Sequence, residues 1–153
     1  MILKSFTFLC LSMSVLACNN SSKKQPEKAQ EKTAEQDNSP ITCYQYADAN
    51  DTIVLKLINI GKAVTGTLEY KLKEKDKNRG TIQGRMQGDM LMVKYTFMSE
   101  GVMSAREVVF KKENGVFIEG FGEVINNHDL VTFKDHNALT FNEKMKLSAI
   151  NCR

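Results

Sequence analysis

From Ile41 onward, apolar and polar residues alternate with a period of two, and no stretch of helical periodicity reaches ten residues. Val64, Gly66, Leu68, Tyr70 and Leu72 interleave with Thr65, Thr67, Glu69, Lys71 and Lys73. The same spacing recurs in Ile53-Leu55-Leu57, Ile82-Gly84-Met86 and Leu91-Val93-Tyr95-Phe97. Shorter runs follow at Val108-Phe110, Val116-Ile118-Val124, Val131-Phe133, Leu139-Phe141 and Met145-Leu147-Ala149. Side chains that point alternately to two faces define strands with one face buried. Turn-forming residues separate the runs at Asn59-Ile60-Gly61, Asp76-Lys77-Asn78, Gly88-Asp89, Asn114-Gly115 and Asn126-Asn127. Asn114-Gly115 is the strongest of these, because a type I′ turn needs positive φ at both central residues.

Eight or nine short antiparallel strands in residues 41–153 make an all-β meander, whose edges must either close or be covered by a second sheet. The expectation is a small closed barrel, with a two-sheet sandwich as the alternative. Gly66, Gly84, Gly120 and Gly122 are assigned to inward faces, where a missing side chain lets a narrow barrel coil. The inward set includes Leu55, Leu57, Leu68, Tyr70, Tyr95, Phe97 and Phe110.

The first 17 residues read as a secretory signal, with Lys4, an apolar run from Ser5 to Leu16, and a small Ala17. A run of roughly a dozen residues falls short of the ~20 that span a bilayer as a helix. Val15-Leu16-Ala17-Cys18 resembles the lipobox of bacterial lipoproteins, with Leu16 where that family prefers a smaller residue. The resemblance implies that the Cys18 thiol is acylated, that cleavage falls just before it, and that two or three acyl chains anchor the product stably. Residues 18–40 then form a tether that contains Pro26 and Pro40 and no large apolar residue, so it cannot bury a core. As random coil its ends stand on the order of 25 Å apart. Asn19 behind the cysteine points to the outer membrane by the enterobacterial sorting pattern, and Lys23-Lys24 stand where a surface-export signal would be acidic. The expected location is the envelope, facing the periplasm.

Of four cysteines, Cys10 leaves with the signal and Cys18 takes lipid, so Cys43 and Cys152 remain at the two ends of the folded region. In an oxidising compartment they are expected to pair, the alternative being two free thiols. All eighteen acidic residues survive cleavage and one lysine is lost, which takes the formal charge from +3 to +2. That balance gives no argument for nucleic acid as a partner.

The segment from Tyr44 to Cys152 resembles the lipocalin- or calycin-like barrels of Bacteroidota envelope lipoproteins with no assigned activity. The likeness lies in the strand rhythm and in Tyr95-Thr96-Phe97-Met98-Ser99-Glu100-Gly101 and Glu119-Gly120-Phe121-Gly122-Glu123. The chain has no Trp, so the lipocalin Gly-x-Trp signature is missing. The resemblance is therefore one of fold.

Arg106 shares a strand face with Val108 and Phe110, which carries it into the barrel and demands a partner. Glu119 and Glu123 are the candidates. The trio is either a structural ion pair or a grip for the carboxylate or phosphate of a ligand at the mouth. Met86, Met90, Met92, Met98 and Met103 crowd one stretch; soft thioethers suit Cu(I), but Met more often fills gaps or forms contact surfaces. His128 and His136 each adjoin an aspartate, short of the three or four ligands a metal needs. Ser99, Glu100, Gly101 and Ser104 belong to a rim loop. Gly-x-Ser-x-Gly, His-Glu-x-x-His and a phosphate loop are all missing, so neither a catalytic residue nor a cofactor or metal is assigned. The resulting expectation is a membrane-anchored, non-catalytic barrel acting as a structural or protein-interaction module with an envelope partner. The alternative is capture of a small apolar or amphiphilic ligand, which a continuous cavity of about 300 Å³ or more would favour.

Overall fold

The computed structural model describes residues 40–75 and 77–152; the signal segment, Cys18 and the tether up to residue 39 lie outside the described residues. Ten strands follow in order: β1 (Ile41–Ala47), β2 (Thr52–Ile60), β3 (Ala63–Lys71), β4 (Asn78–Gln87), β5 (Met90–Ser99), β6 (Val102–Glu113), β7 (Val116–Phe121), β8 (Val124–Asn127), β9 (Leu130–Phe133) and β10 (Thr140–Ile150). A single-turn 3₁₀ helix (His136–Ala138) precedes β10.

Hydrogen-bonded neighbours run from β1 through β7 in sequence, then to β10, which pairs back onto β1. Eight antiparallel strands thus close on themselves, and the ring leaves no pair of separate sheets. This is the expected all-β meander barrel, of the same general kind as calycin-like barrels. The β8–β9 hairpin stands outside the ring and touches it through a parallel pairing at Arg106 and Val131.

Alternation explains how the ring fills. Leu55, Leu68, Ile82, Leu91, Tyr95, Phe110 and Leu147 are fully buried and belong to one interior cluster. Each large apolar side chain so placed contributes about 1.5–3 kcal/mol by leaving water. A ring of eight strands is just narrow enough for such side chains to fill it. Glycine permits the tight coil at three places, Gly66, Gly80 and Gly84. A Cβ on Gly66 would lie 1.8 Å from the Lys56 carbonyl oxygen, and one on Gly84 would lie 2.0 Å from that of Met92.

Two sequence expectations need correction. Gly120 and Gly122 do not face inward: on β7 it is Phe117 that joins the interior cluster and Glu119 that lines the barrel mouth, while the space beside Gly120 and Gly122 is taken by Leu139, with Phe141 also against Gly120. Nor is Val116-Ile118-Val124 one strand, since β7 ends at Phe121 and Val124 opens β8. Both errors have one cause. The segment returning from β9 to β10 lies against the outer side of β6 and β7, at Val109 and at Gly120 and Gly122, and both Val109 and Ile118 are buried outside the interior cluster. A strand with two apolar faces loses its period-two signature.

Asn114 and Gly115 adopt φ of 50° and 83°, as the type I′ turn requires. Asn126 and Asn127 instead sit in β8, and the hairpin turns at His128, whose φ is 56°. Leu139-Phe141 and Met145-Leu147-Ala149 fall on β10 or at its edge, with a register shift between Phe141 and Lys146. Cys43 and Cys152 are disulfide-bonded, with Cα atoms 5.2 Å apart and 109 positions between them in sequence. The bond fastens β1 to the residues just beyond β10. It lies near the end where the chain enters at Ile41. The β1–β2, β3–β4 and β5–β6 connections lie at the opposite end, here called the mouth.

Candidate functional site

The mouth is where the alternation stops being purely apolar. The inward positions toward that end include Tyr70 on β3, Tyr95 and Phe97 on β5, Arg106 on β6 and Glu119 on β7. Register brings them together: Tyr95 stands opposite Arg106 across β5 and β6, while Glu119 on β7 is opposite Phe110. They border a cup of about 270 Å³, walled by Leu72, Phe97, Phe121 and Met145, with Lys75 and Asn78 also on its lining. Below the cup Leu55, Leu68 and Ile82 are fully buried.

The Tyr70 hydroxyl donates a hydrogen bond of 2.6 Å to Glu119 Oε1. Arg106 Nη2 lies 3.9 Å from the same oxygen, close enough for charge attraction but too long for a hydrogen bond. The guanidinium is held instead by two rings, 5.2 Å from the centre of Tyr70 and 5.8 Å from that of Tyr95. Tyr95 stacks on Phe97 at 4.7 Å and meets Tyr70 edge-on at 5.9 Å.

Burial sets the protonation states. It pushes the Glu119 carboxyl above its ordinary range, against the opposing pull of the Tyr70 hydrogen bond and the Arg106 charge. Burial, reinforced by the Glu119 charge, lifts Tyr70 well above the usual phenol value. Burial also lifts Tyr95 to about 12 against the pull of Arg106. Both phenols are therefore neutral near pH 7 and available as donors. Among the described residues two buried side-chain polar atoms have no hydrogen-bond partner, the Tyr95 hydroxyl and Arg106 Nε.

Of the acidic residues singled out from sequence, Glu119 meets Arg106 and Glu123 does not. Glu123 lies past the end of β7, exposed, and pairs with Lys134 at 3.1 Å. Met90, Met92, Met98 and Met103 lie outside the interior cluster, while Met86 packs against it. Met90 and Met92 share a surface hollow with His136. Nε2 of His136 is 2.9 Å from Glu107 Oε1, whereas His128 occupies the β8–β9 turn. Among the described residues no group of three or more His, Cys, Asp or Glu is arranged to hold a metal ion. Glu100 and Gly101 form the β5–β6 turn, with Ser99 and Ser104 beside it.

Sequence reasoning placed Tyr70 and Tyr95 in the core but missed their polar role. For Tyr70 the available signal was a phenol at the last inward position of β3; Tyr95, with Phe97 beyond it on β5, gave no such signal. Glu107 was missed altogether. From the outer face of β6 it accepts the Phe133 backbone N–H at 3.0 Å and meets His136, so it clamps the returning segment to the barrel.

Family models, curated proteins and solved structures were compared with the chain, and none matches.

Proposed function

We propose that the protein is a lipid-anchored component of a bacterial envelope, and that its barrel is a non-catalytic module whose mouth meets a protein partner. The anchor rests on the Val15-Leu16-Ala17-Cys18 motif and the polar segment behind it. One structural observation carries the interaction reading: large apolar side chains stand exposed at the mouth, outside the buried interior cluster. Among the described residues nine large apolar side chains are exposed, and six of them belong to the β5–β6 turn or the β7–β8 segment (Met98, Val102, Met103, Phe121, Val124 and Ile125). Both features leave the ring at the mouth, away from the end that continues into the tether. The β5–β6 turn projects Val102 and Met103 with about two thirds of their surface in water. A cluster of this kind, with adaptable Met among it, suits a contact surface.

Metabolic labelling with an alkyne fatty acid should mark the wild-type chain and leave C18A unmarked; label on C18A would refute the anchor. A photo-crosslinking residue at position 103 should capture one defined envelope protein, and the same residue at Lys56 on the outer face of β2 should not. Equal capture at both positions would refute the mouth as the contact. Protease shaving of intact cells decides which way the domain faces, with survival of the barrel expected for the periplasmic side.

A further inference from the structure

We propose that the mouth cup binds a single carboxylate carried on a short apolar stem, with Arg106 and Tyr95 as the donors that receive it. Such a group is found both on a free short-chain acid and at the C-terminus of a polypeptide. The second source would give the proposed partner a chain end to insert, so in that form the inference extends the interaction reading. The first source does not depend on it.

The donors argue for an acceptor. Arg106 makes no side-chain hydrogen bond among the described residues, and its Nε is buried without an acceptor. Tyr95 lines the cup, and its hydroxyl is buried and has no partner. Native proteins leave few buried polar groups unsatisfied, so two at one site call for an occupant. An oxygen acceptor answers both at once. A cation would answer only the hydroxyl. It would also meet Arg106 and Lys75, while Glu119 Oε1 already accepts from Tyr70. The three charged groups bordering the cup, two basic and one acidic, leave it formally positive when all are ionised. A guanidinium offers a planar fork to a carboxylate, and this one is already oriented by the Tyr70 and Tyr95 rings.

The walls argue for the stem. Leu72, Phe121 and Met145 make the sides apolar. At ~30 Å³ for each water-sized unit, 270 Å³ holds about nine non-hydrogen atoms. The fully buried residues beneath leave no room for a long chain to descend into the barrel. Phe97 is only partly buried and stacks on Tyr95, so it is the ring whose movement would open the hydroxyl to a ligand.

The test uses the whole chain carrying Cys18→Ala, so that no acyl group of its own competes, with ¹³C-methyl methionine as the reporter. Met145 lines the cup, whereas Met103 lies outside it and serves as the control. Octanoate should shift the Met145 methyl resonance and leave Met103 in place, with octanol and octylamine each at least tenfold weaker. A pentapeptide ending in Leu should do the same with a free C-terminus and not when amidated, if the source is a polypeptide. Response to octanoate alone assigns the free acid. Arg106→Met and Tyr95→Phe should each reduce carboxylate affinity at least tenfold while leaving octanol binding within twofold. If either variant fails to fold, the ranking of the three octyl probes on the Cys18→Ala chain still decides. Equal binding of acid, alcohol and amine overturns the proposal. So does silence toward every probe together with a long-lived water at the Tyr95 hydroxyl, which would make water the occupant.

Discussion

Tyr70 and Glu119, 49 positions apart in sequence, are joined across the barrel mouth by a 2.6 Å hydrogen bond from phenol to carboxylate. The bond favours the ionised carboxylate, but burial outweighs it, and the Glu119 pKa rises. A carboxyl with a raised folded-state pKa binds its proton more tightly in the native state than in the unfolded chain. The stability this contributes is present below the unfolded value near 4.5, and is lost as pH climbs through the raised folded value.

Glu119→Gln should therefore gain on the wild type as pH rises. The amide oxygen still accepts from Tyr70, and no charge has to be buried. Urea unfolding at pH 4, 5.5 and 7 should show the difference in stability, variant minus wild type, increasing in that order. A constant difference would mean that Glu119 titrates alike in both states.

Tyr95→Phe removes a hydroxyl that is buried without a partner and keeps the ring that stacks on Phe97. An unsatisfied buried polar group costs about 1–3 kcal/mol. The unfolding free energy from urea titration of the variant should rise by an amount in that range, as a higher midpoint with no change in slope. A fall would mean that the hydroxyl makes a bond worth keeping.

The paired variant Cys43→Ala with Cys152→Ala removes a crosslink spanning 109 positions. Closing a loop of this length is worth about 4–5 kcal/mol in the chain-entropy model. Denaturant unfolding of the variant, compared with the oxidised wild type, should show a loss of that order. Reduced wild type should match the variant closely.

Gly66→Ala and Gly61→Ala separate two reasons for glycine. At Gly66 a Cβ would strike the Lys56 carbonyl, whereas at Gly61 nothing lies within 4 Å but φ is 61°. The first should cost more than about 2 kcal/mol through overpacking, and the second about 1 kcal/mol through backbone strain. Thermal unfolding of both variants gives the order, and the reverse order would show that β2 and β3 can move apart.

Much of the barrel was legible because its strands from β2 to β5 bury one face only. Ile53-Leu55-Leu57 and Leu91-Val93-Tyr95 declared their inward side by simple alternation, and Asn114-Gly115 declared its turn by backbone chemistry. The misreadings cluster on β7 and the chain beyond it. There Ile118 is buried outside the interior cluster, Glu119 replaces an apolar residue at an inward position, and local pattern no longer tells which face is inside. The site divides in the same way. Arg106 betrayed itself as a charge on an apolar face, but its choice of Glu119 over Glu123 depends on where β7 stops. That stop is set by the returning segment at Leu139 and Phe141, far along the chain. The unsatisfied Tyr95 hydroxyl belongs to three-dimensional packing and has no counterpart in sequence.

The Cys43–Cys152 bond turns the barrel into a covalent ring, with the residues before Cys43 as its tail. A single backbone cut anywhere between the two cysteines, even in the exposed loop after Ala47 or the turn at Gly101, releases no fragment. A cut ahead of Cys43 parts only the tail from the ring. An oxidised barrel can therefore carry a nick and still stay in one piece. The scar would show only when the disulfide is reduced and two peptides part.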